Sequence, residues 1–323
     1  MTLIKNKMKA AFIVVLSVLM ILGGCSSNEG SSGDGSDKPT IGLVTINQEA
    51  YFFTETVKGA QKAADDLGAK LIVNNPNNDA IKQNDAIQNF VNQGVDAIIV
   101  NAIDTKGIVP AMEEAARANI PVISVDSVVD SDAVSVQIGV DNAESSKELG
   151  DFFNKYAKDN MKEAVKMGVV GALNSTIQVS RQDAFLDTVK QTPDLKVGNI
   201  VDGQNVQQKA MSSAENLMIG HPELNALFAT GEPALIGLAG AVKSQNKEDS
   251  VMVFGWDLSK QAIDGIEEGW VQGVVQQHPD EYGSEAVKAA VKLANKEEVE
   301  KNISVPVTIV TKDNVDEFKG LFK

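Results

Sequence analysis

Polar side chains recur in this chain just behind short apolar runs, where they could satisfy the hydroxyl groups of a small polar molecule. Asn101, Asp126 with Ser127, Asp141 with Asn142, the stretch 174–181 that ends at Arg181, the stretch 230–232 that ends at Glu232, Asp257 and Gln277 all sit this way. Asn, Asp, Gln and Thr accept and donate in the patterns that hydroxyls need. An aromatic trio, Tyr51, Phe52 and Phe53, opens an early amphipathic stretch; such rings cover the C–H faces of a polyhydroxylated molecule. Each Asp or Asn also has an ordinary structural reading as a turn or helix-cap residue. Asp126 and Asp257 could in principle do paired acid–base work on a glycoside. No phosphate loop, dinucleotide fingerprint or nucleophile elbow accompanies them, however. The histidines His221 and His278 each precede a proline and show no metal-ligand spacing, and no DxDxDG calcium loop occurs. The expectation is binding without catalysis, with no cofactor and no metal.

The elements that would position these groups follow a regular rhythm. Val- and Ile-rich runs at 40–46, 70–74, 97–101, 121–125 and 136–139 read as strands, separated by amphipathic stretches near 53–67, 81–93, 105–118 and 143–158. The pattern then restarts, with strands at 167–173, 196–201, 226–229, 251–255 and 271–276 and helices near 181–190, 207–218, 235–244 and 259–267. Strand–helix–strand alternation implies parallel sheets covered on both faces, and two such series imply two similar α/β domains. A helix near 282–295 and a strand near 305–311 remain. They would return the chain to the first domain and back again, creating a hinge. In open parallel sheets ligands bind beyond the carboxyl ends of the strands, which is where the polar residues fall.

At 323 residues the chain exceeds one ordinary core, and its net charge of −15 argues against nucleic acid. Lys5, Lys7 and Lys9 precede an apolar run at 10–22, interrupted only by Ser17. That run is shorter than the roughly 20 residues a membrane span needs and suits an export signal. Leu22-Gly23-Gly24-Cys25 resembles a bacterial lipobox, and Cys25 is the only cysteine, so it has no disulfide partner. Residues 1–24 therefore read as a lipoprotein signal peptide. Residues 25–38, rich in Ser, Gly and acids, read as a flexible tether. Lipid at Cys25 would place the protein on the extracytoplasmic face of the membrane with no transmembrane helix.

The strings YFFTETVKGAQKAADDLGAKL, IVNAIDTKGIVPAMEEAARANIPVISVD, the DN of IGVDN, VFGWD and QQHPDEYGSEAV, in this order, resemble the ribose-type (type I) periplasmic binding proteins. The resemblance implies two Rossmann-like lobes joined by a three-strand hinge and closing on a solute. The lobes would be 39–141 plus 278–306 and 142–277 plus 307–323. It places Phe52 and Phe53 where the family stacks aromatics on a sugar, and Asn101, Asp126, Asp257 and Gln277 on polar contacts. Ser127 stands where ribose binders carry an arginine. A second family arginine falls near Val179, with Arg181 as a substitute, and a family asparagine aligns with Gly231 beside Glu232. Trp256 reads either as a ring-facing wall or as a buried strand-end residue. The implied function is capture of a monosaccharide or sugar alcohol by a monomer that delivers it to an ABC permease. A receptor for a signalling molecule or nucleoside is the alternative. A sugar-responsive repressor of this fold would need a DNA-binding segment ahead of it, where the export signal and tether stand.

Overall fold

The computed structural model describes residues 38–48, 51–161 and 163–322. The signal segment, the tether and Cys25 lie outside them. Among the described residues, the first series consists of β1 (Thr40–Val44), α1 (Tyr51–Leu67), β2 (Lys70–Asn74), α2 (Ala80–Gln93), β3 (Ala97–Val100), α3 (Val109–Arg117), β4 (Val122–Val125) and β5 (Val134–Gly139). The second consists of α4 (Asn142–Asn160), β6 (Lys166–Gly171), α5 (Thr176–Val189), β7 (Lys196–Asp202), α6 (Gln207–Gly220), β8 (Ala226–Ala229), α7 (Glu232–Ser244), β9 (Met252–Trp256), α8 (Lys260–Glu268) and β10 (Val271–Gln277). Then follow α9 (Pro279–Ala294), β11 (Asn302–Ser304) and β12 (Val307–Val310).

Two six-stranded sheets result, in the orders β2-β1-β3-β4-β5-β11 and β7-β6-β8-β9-β10-β12. The first five strands of each follow the same winding, so the fold is an internal repeat. Every pairing is parallel except β10 with β12. Strands β3, β4 and β8 are buried at every residue, as a sheet covered on both faces demands. The chain passes between the two lobes after β5, after β10 and between β11 and β12. Because β11 pairs with β5 and β12 with β10, the three passages lie side by side.

Local chemistry accounts for the shifts from the sequence expectation. The strand expected at 305–311 is two strands, one in each sheet, parted at Val305–Pro306. Val305 still donates to Gly139 O, but Pro306 has no N–H to continue a ladder. The helix expected from 181 starts at Thr176, capped by the Ser175 hydroxyl, which accepts from Gln178 N. The third helix starts at Val109 rather than 105, with Pro110 in its first turn, a position where a missing N–H costs nothing.

Helix α9 covers the first sheet and lies very close to α1. A Cβ built at Gly59 would lie 1.9 Å from Asp280 O, and one at Gly283 would lie 1.9 Å from Thr56 O. Only glycine permits that approach, which brings Tyr282 of α9 against Phe52 of α1, with ring centroids 5.3 Å apart. The second lobe has an aromatic layer on one face, in which Phe185 and Phe228 stack at 3.9 Å.

Candidate functional site

Asp126 and Asp257 occupy equivalent places in the repeat, each directly after the fourth strand of its sheet, β4 or β9. Both have left-handed backbones, with φ of 64° and 63°. Both N–H groups donate to the neighbouring strand, Asp126 N to Ile138 O and Asp257 N to Val275 O, each at 2.8 Å. Asp tolerates this conformation better than most L-residues because a short polar side chain can visit it. The turn ends the strand and carries each carboxylate beyond the sheet, into the gap between the lobes.

The two carboxylates have different company. Arg181, on the second turn of α5 and almost fully buried, donates from Nη1 to Asp257 Oδ2 at 3.1 Å and from Nε to Asn142 Oδ1 at 2.7 Å. Its guanidinium lies 3.8 Å over the Trp256 ring, and the Trp256 indole donates to Ser146 Oγ. Trp256 itself is fully buried: it backs the arginine rather than walling the cleft. Asp257 Oδ1 accepts from Gln277 Nε2 at 2.6 Å, and Gln277 Oε1 accepts from the Tyr282 hydroxyl at 2.6 Å. Since Tyr282 belongs to the core of the first lobe, this chain of bonds links the lobes beside the passages. Burial, followed by the nearby Asp126 and Asp257 charges, drives the Tyr282 hydroxyl pKa far up, so it remains a donor.

Asp126 has no such support. It lies deep in the cleft, partly open to the cavity, and no protein group among the described residues donates to its carboxylate. Burial pushes its pKa from 3.8 up to about 6; Arg181 offsets part of that shift and repulsion from Asp257 adds to it. Glu232, the first residue of α7, stands exposed at the edge of the cleft. Its carboxyl is also raised, because the cleft walls displace water from it and Asp257 repels its charge.

The cleft has a volume of about 570 Å³ and is lined by both lobes. Asp126, Tyr51, Phe52 and Phe53 form the first-lobe side. Gln178, Asn205, Gly231, Glu232, Asp257, Gln276 and Gln277 form most of the other. Gln178 accepts from the Thr230 hydroxyl and donates to Asn205 Oδ1, both at 2.7 Å. Gly231 makes room for it: a Cβ there would lie 2.9 Å from the Gln178 amide. Phe322, near the carboxyl terminus, also lines the cleft and meets Tyr51 with ring centroids 5.8 Å apart.

Of the residues singled out in the sequence, Phe52, Phe53, Asp126, Glu232, Asp257 and Gln277 come together in the cleft, with Arg181 immediately behind Asp257. Asn101, Ser127 and Asp141 are not among its lining residues. Asn101 is fully buried, donates to Val125 O, and has an Oδ1 with no partner. The Ser127 hydroxyl donates to Ala102 O. The Asp141 carboxylate caps α4 by accepting from Ala143 N and Glu144 N. Gln178 fell inside the stretch marked at 174–181 without being singled out. Asn205 and Phe322 carried no sequence signal, since one sits in a turn after β7 and the other at the chain end.

Two lobes built on mostly parallel sheets, with a polar cleft between them at the strand ends, have the architecture of a solute-binding protein. The profile of the family described as "periplasmic binding protein domain" matches residues 41–298, and the chain belongs to that family, as a type I sugar-binding protein of ABC transporters. It is 29% identical over 310 residues to the ribose import binding protein RbsB of Bacillus subtilis, covering 94% of this chain and 99% of RbsB. Among solved structures it resembles a solute-binding protein of Bacillus halodurans with bound myo-inositol, at 25% identity and a TM-score of 0.74, covering 90% of this chain and all of that one. One from Actinobacillus succinogenes with bound D-allose shares the fold, with 24% identity, a TM-score of 0.75 and coverage of 87% and 100%. The Bacillus subtilis relative is an import binding protein and the two solved ones are ABC transporter solute-binding proteins; the chain, a binding protein of the same family, is not an enzyme. The family is extracytoplasmic, and no helix among the described residues is long and apolar enough to cross a membrane.

Proposed function

We propose that this protein is a lipoprotein anchored at Cys25 that captures a monosaccharide or sugar alcohol and delivers it, as a monomer, to the permease of its ABC importer. The observation that carries the reading is the cleft itself. Asp126 and Asp257 reach it from opposite lobes at equivalent strand ends, so one solute can bridge both. Phe52 and Phe53 would cover its C–H faces, and Asp126, Glu232, Asp257 and Gln277 would take its hydroxyls, with Arg181 fixing Asp257. Buried hydroxyls need such partners, because an unpaired one costs about 1–3 kcal/mol. The lobes 39–141 plus 278–306 and 142–277 plus 307–323 would turn against each other about the three passages, the ligand favouring the closed form. Asn101, Ser127 and Asp141 would hold loops around the site.

Thermal melting of the detergent-purified chain against sugars, polyols and nucleosides tests the reading. A solute at a hundred times its dissociation constant stabilises the fold by about 2.7 kcal/mol. A shift with one sugar or polyol is expected; shifts with nucleosides alone, or with nothing, would refute it. Lipid attachment is checked separately: a cell-expressed chain should take up labelled palmitate, and Cys25→Ala should not.

A further inference from the structure

The first turn of α5 brings a second side chain to the cleft beside Arg181. Gln178 stands three residues before Arg181 on this helix and so shares its face. Arg181 reaches behind Asp257, whereas Gln178 lines the cleft itself. Both ends of its amide are held. The fully buried Thr230 hydroxyl donates to Oε1, and Nε2 donates to Asn205 Oδ1, both at 2.7 Å. The second N–H of Gln178 and the Nδ2 group of Asn205 meet no acceptor among the described residues. Asn205 is exposed and lines the cleft as well.

Gly231 accounts for the room this amide has. Its backbone is extended, with φ −176° and ψ 173°, a conformation open to any residue, so the turn before α7 does not call for glycine. Space does. A Cβ at 231 would lie 2.9 Å from both Cδ and Nε2 of Gln178 and 3.1 Å from its Oε1. The amide thus fills the space into which residue 231 would project a side chain of its own. Resting on the reading of the cleft as a polyol site, we propose that Gln178 is a solute-binding residue and a specificity determinant of the second lobe. Its free N–H donates to one solute hydroxyl, Thr230 and Asn205 fix its orientation, and Gly231 admits it. A hydroxyl carries lone pairs as well as a proton. The ionised carboxylates of Glu232 and Asp257 offer acceptors alone, so the lone pairs need a donor on this lobe, and Gln178 presents a neutral one. Because the amide is held before binding, little ordering cost remains. A solute without that hydroxyl leaves a buried N–H unpaired, which is what makes such a contact selective.

The test is calorimetric titration of the detergent-purified chain with each solute that shifts the melting panel, starting from D-ribose, D-glucose, D-allose and myo-inositol, beside its monodeoxy forms. At least one monodeoxy form should bind about tenfold more weakly than its parent. Gln178→Ala should weaken the parent by about the same factor and leave that one deoxy form unchanged, so the preference vanishes at one position and persists at the others. Gly231→Ala should do likewise by displacing the amide, and should add nothing to Gln178→Ala, where the space is empty. Preferences all retained in Gln178→Ala, or eroded evenly at every position, overturn the assignment and leave the polyol reading standing. Silence across the whole panel overturns both. Should Gln178→Ala not fold, Asn205→Gly carries the test, because the residue is exposed and glycine accepts its φ of 56°. Loss of the partner that orients Gln178 should erode the same single preference, and an unchanged set of preferences there overturns the assignment too.

Discussion

If Asp126 binds the solute as proposed, it is the residue at which stability and function pull apart most clearly, and Asp126→Asn exposes the conflict. The native carboxyl has a pKa of about 6 against an ordinary 3.8, so the folded state holds its proton more tightly than the unfolded chain does. Between those values the native state carries more protons, and folding stability from this group falls as pH rises. Above pH 6 the penalty is complete. A shift of about two units at about 1.4 kcal/mol each gives about 3 kcal/mol, an upper figure because the side chain stays partly open to the cavity.

Asparagine removes the charge while keeping the shape, and it tolerates the left-handed backbone at φ 64°, so the turn after β4 should survive. Urea unfolding of the ligand-free chain should show Asp126→Asn more stable than wild type at pH 7.5 by about 1–3 kcal/mol, with the difference vanishing near pH 4. The same variant should bind its solute about ten- to a hundredfold more weakly, the worth of a hydrogen bond to a charged group. A variant that is less stable than wild type at pH 7.5, or whose advantage grows toward pH 4, would refute the claim that this carboxylate sits desolvated and unsupported.

Arg181→Met should act in the opposite sense: removing the partner of Asp257 and baring Trp256 should destabilise the second lobe by about 2–3 kcal/mol by calorimetry, below the 3–5 typical of a fully buried pair, because Asp257 keeps 23% of its side chain exposed. Gly283→Ala forces a Cβ to within 1.9 Å of Thr56 O and should cost about 1–3 kcal/mol as α1 and α9 are pushed apart; an unchanged melting temperature would contradict the close helix packing. Phe322→Ala opens the cleft beside Tyr51 and should speed solute release about three- to tenfold in stopped-flow measurements, with little effect on unfolding.

The fold was legible because its signals are local and repeated. Fully buried runs such as Ala97–Val100 and Ala226–Ala229 admit little but central parallel strands, and polar residues directly behind them mark the binding edge. What escaped were the consequences of tertiary contact. Leu67 completes the apolar stripe of α1 in sequence, yet it is 47% exposed, because the glycine contact with α9 selects a face built on Thr56, Ala60, Ala63 and Ala64. Arg181 reads as the first residue of its helix, whereas the Ser175 cap starts that helix five residues earlier and puts Arg181 on its second turn. Asn101, Ser127 and Asp141 have the right types at the right places, but each side chain turns to a backbone partner close by. Those contacts are set by side-chain torsions that no spacing encodes. Phe322 reaches the cleft only because the end of the chain packs on the second lobe.

The internal repeat gives the site two equivalent carboxylates, and the differences around them set how each can work. Asp257 is held by Arg181 and Gln277 before any solute arrives, so it presents a fixed set of acceptors at little further ordering cost. Asp126, lacking a protein donor among the described residues, is the position where a solute of the proposed kind would supply the missing interaction. A molecule resting on the second lobe alone would leave that carboxylate unsatisfied, whereas one that bridges to it satisfies the group whose burial is costly. Closure would then be favoured by the differential interaction that a two-state receptor requires. The Gln277–Tyr282 bond runs from the held carboxylate into the core of the first lobe, so the side chains that orient Asp257 also lie at the joint about which the lobes would turn.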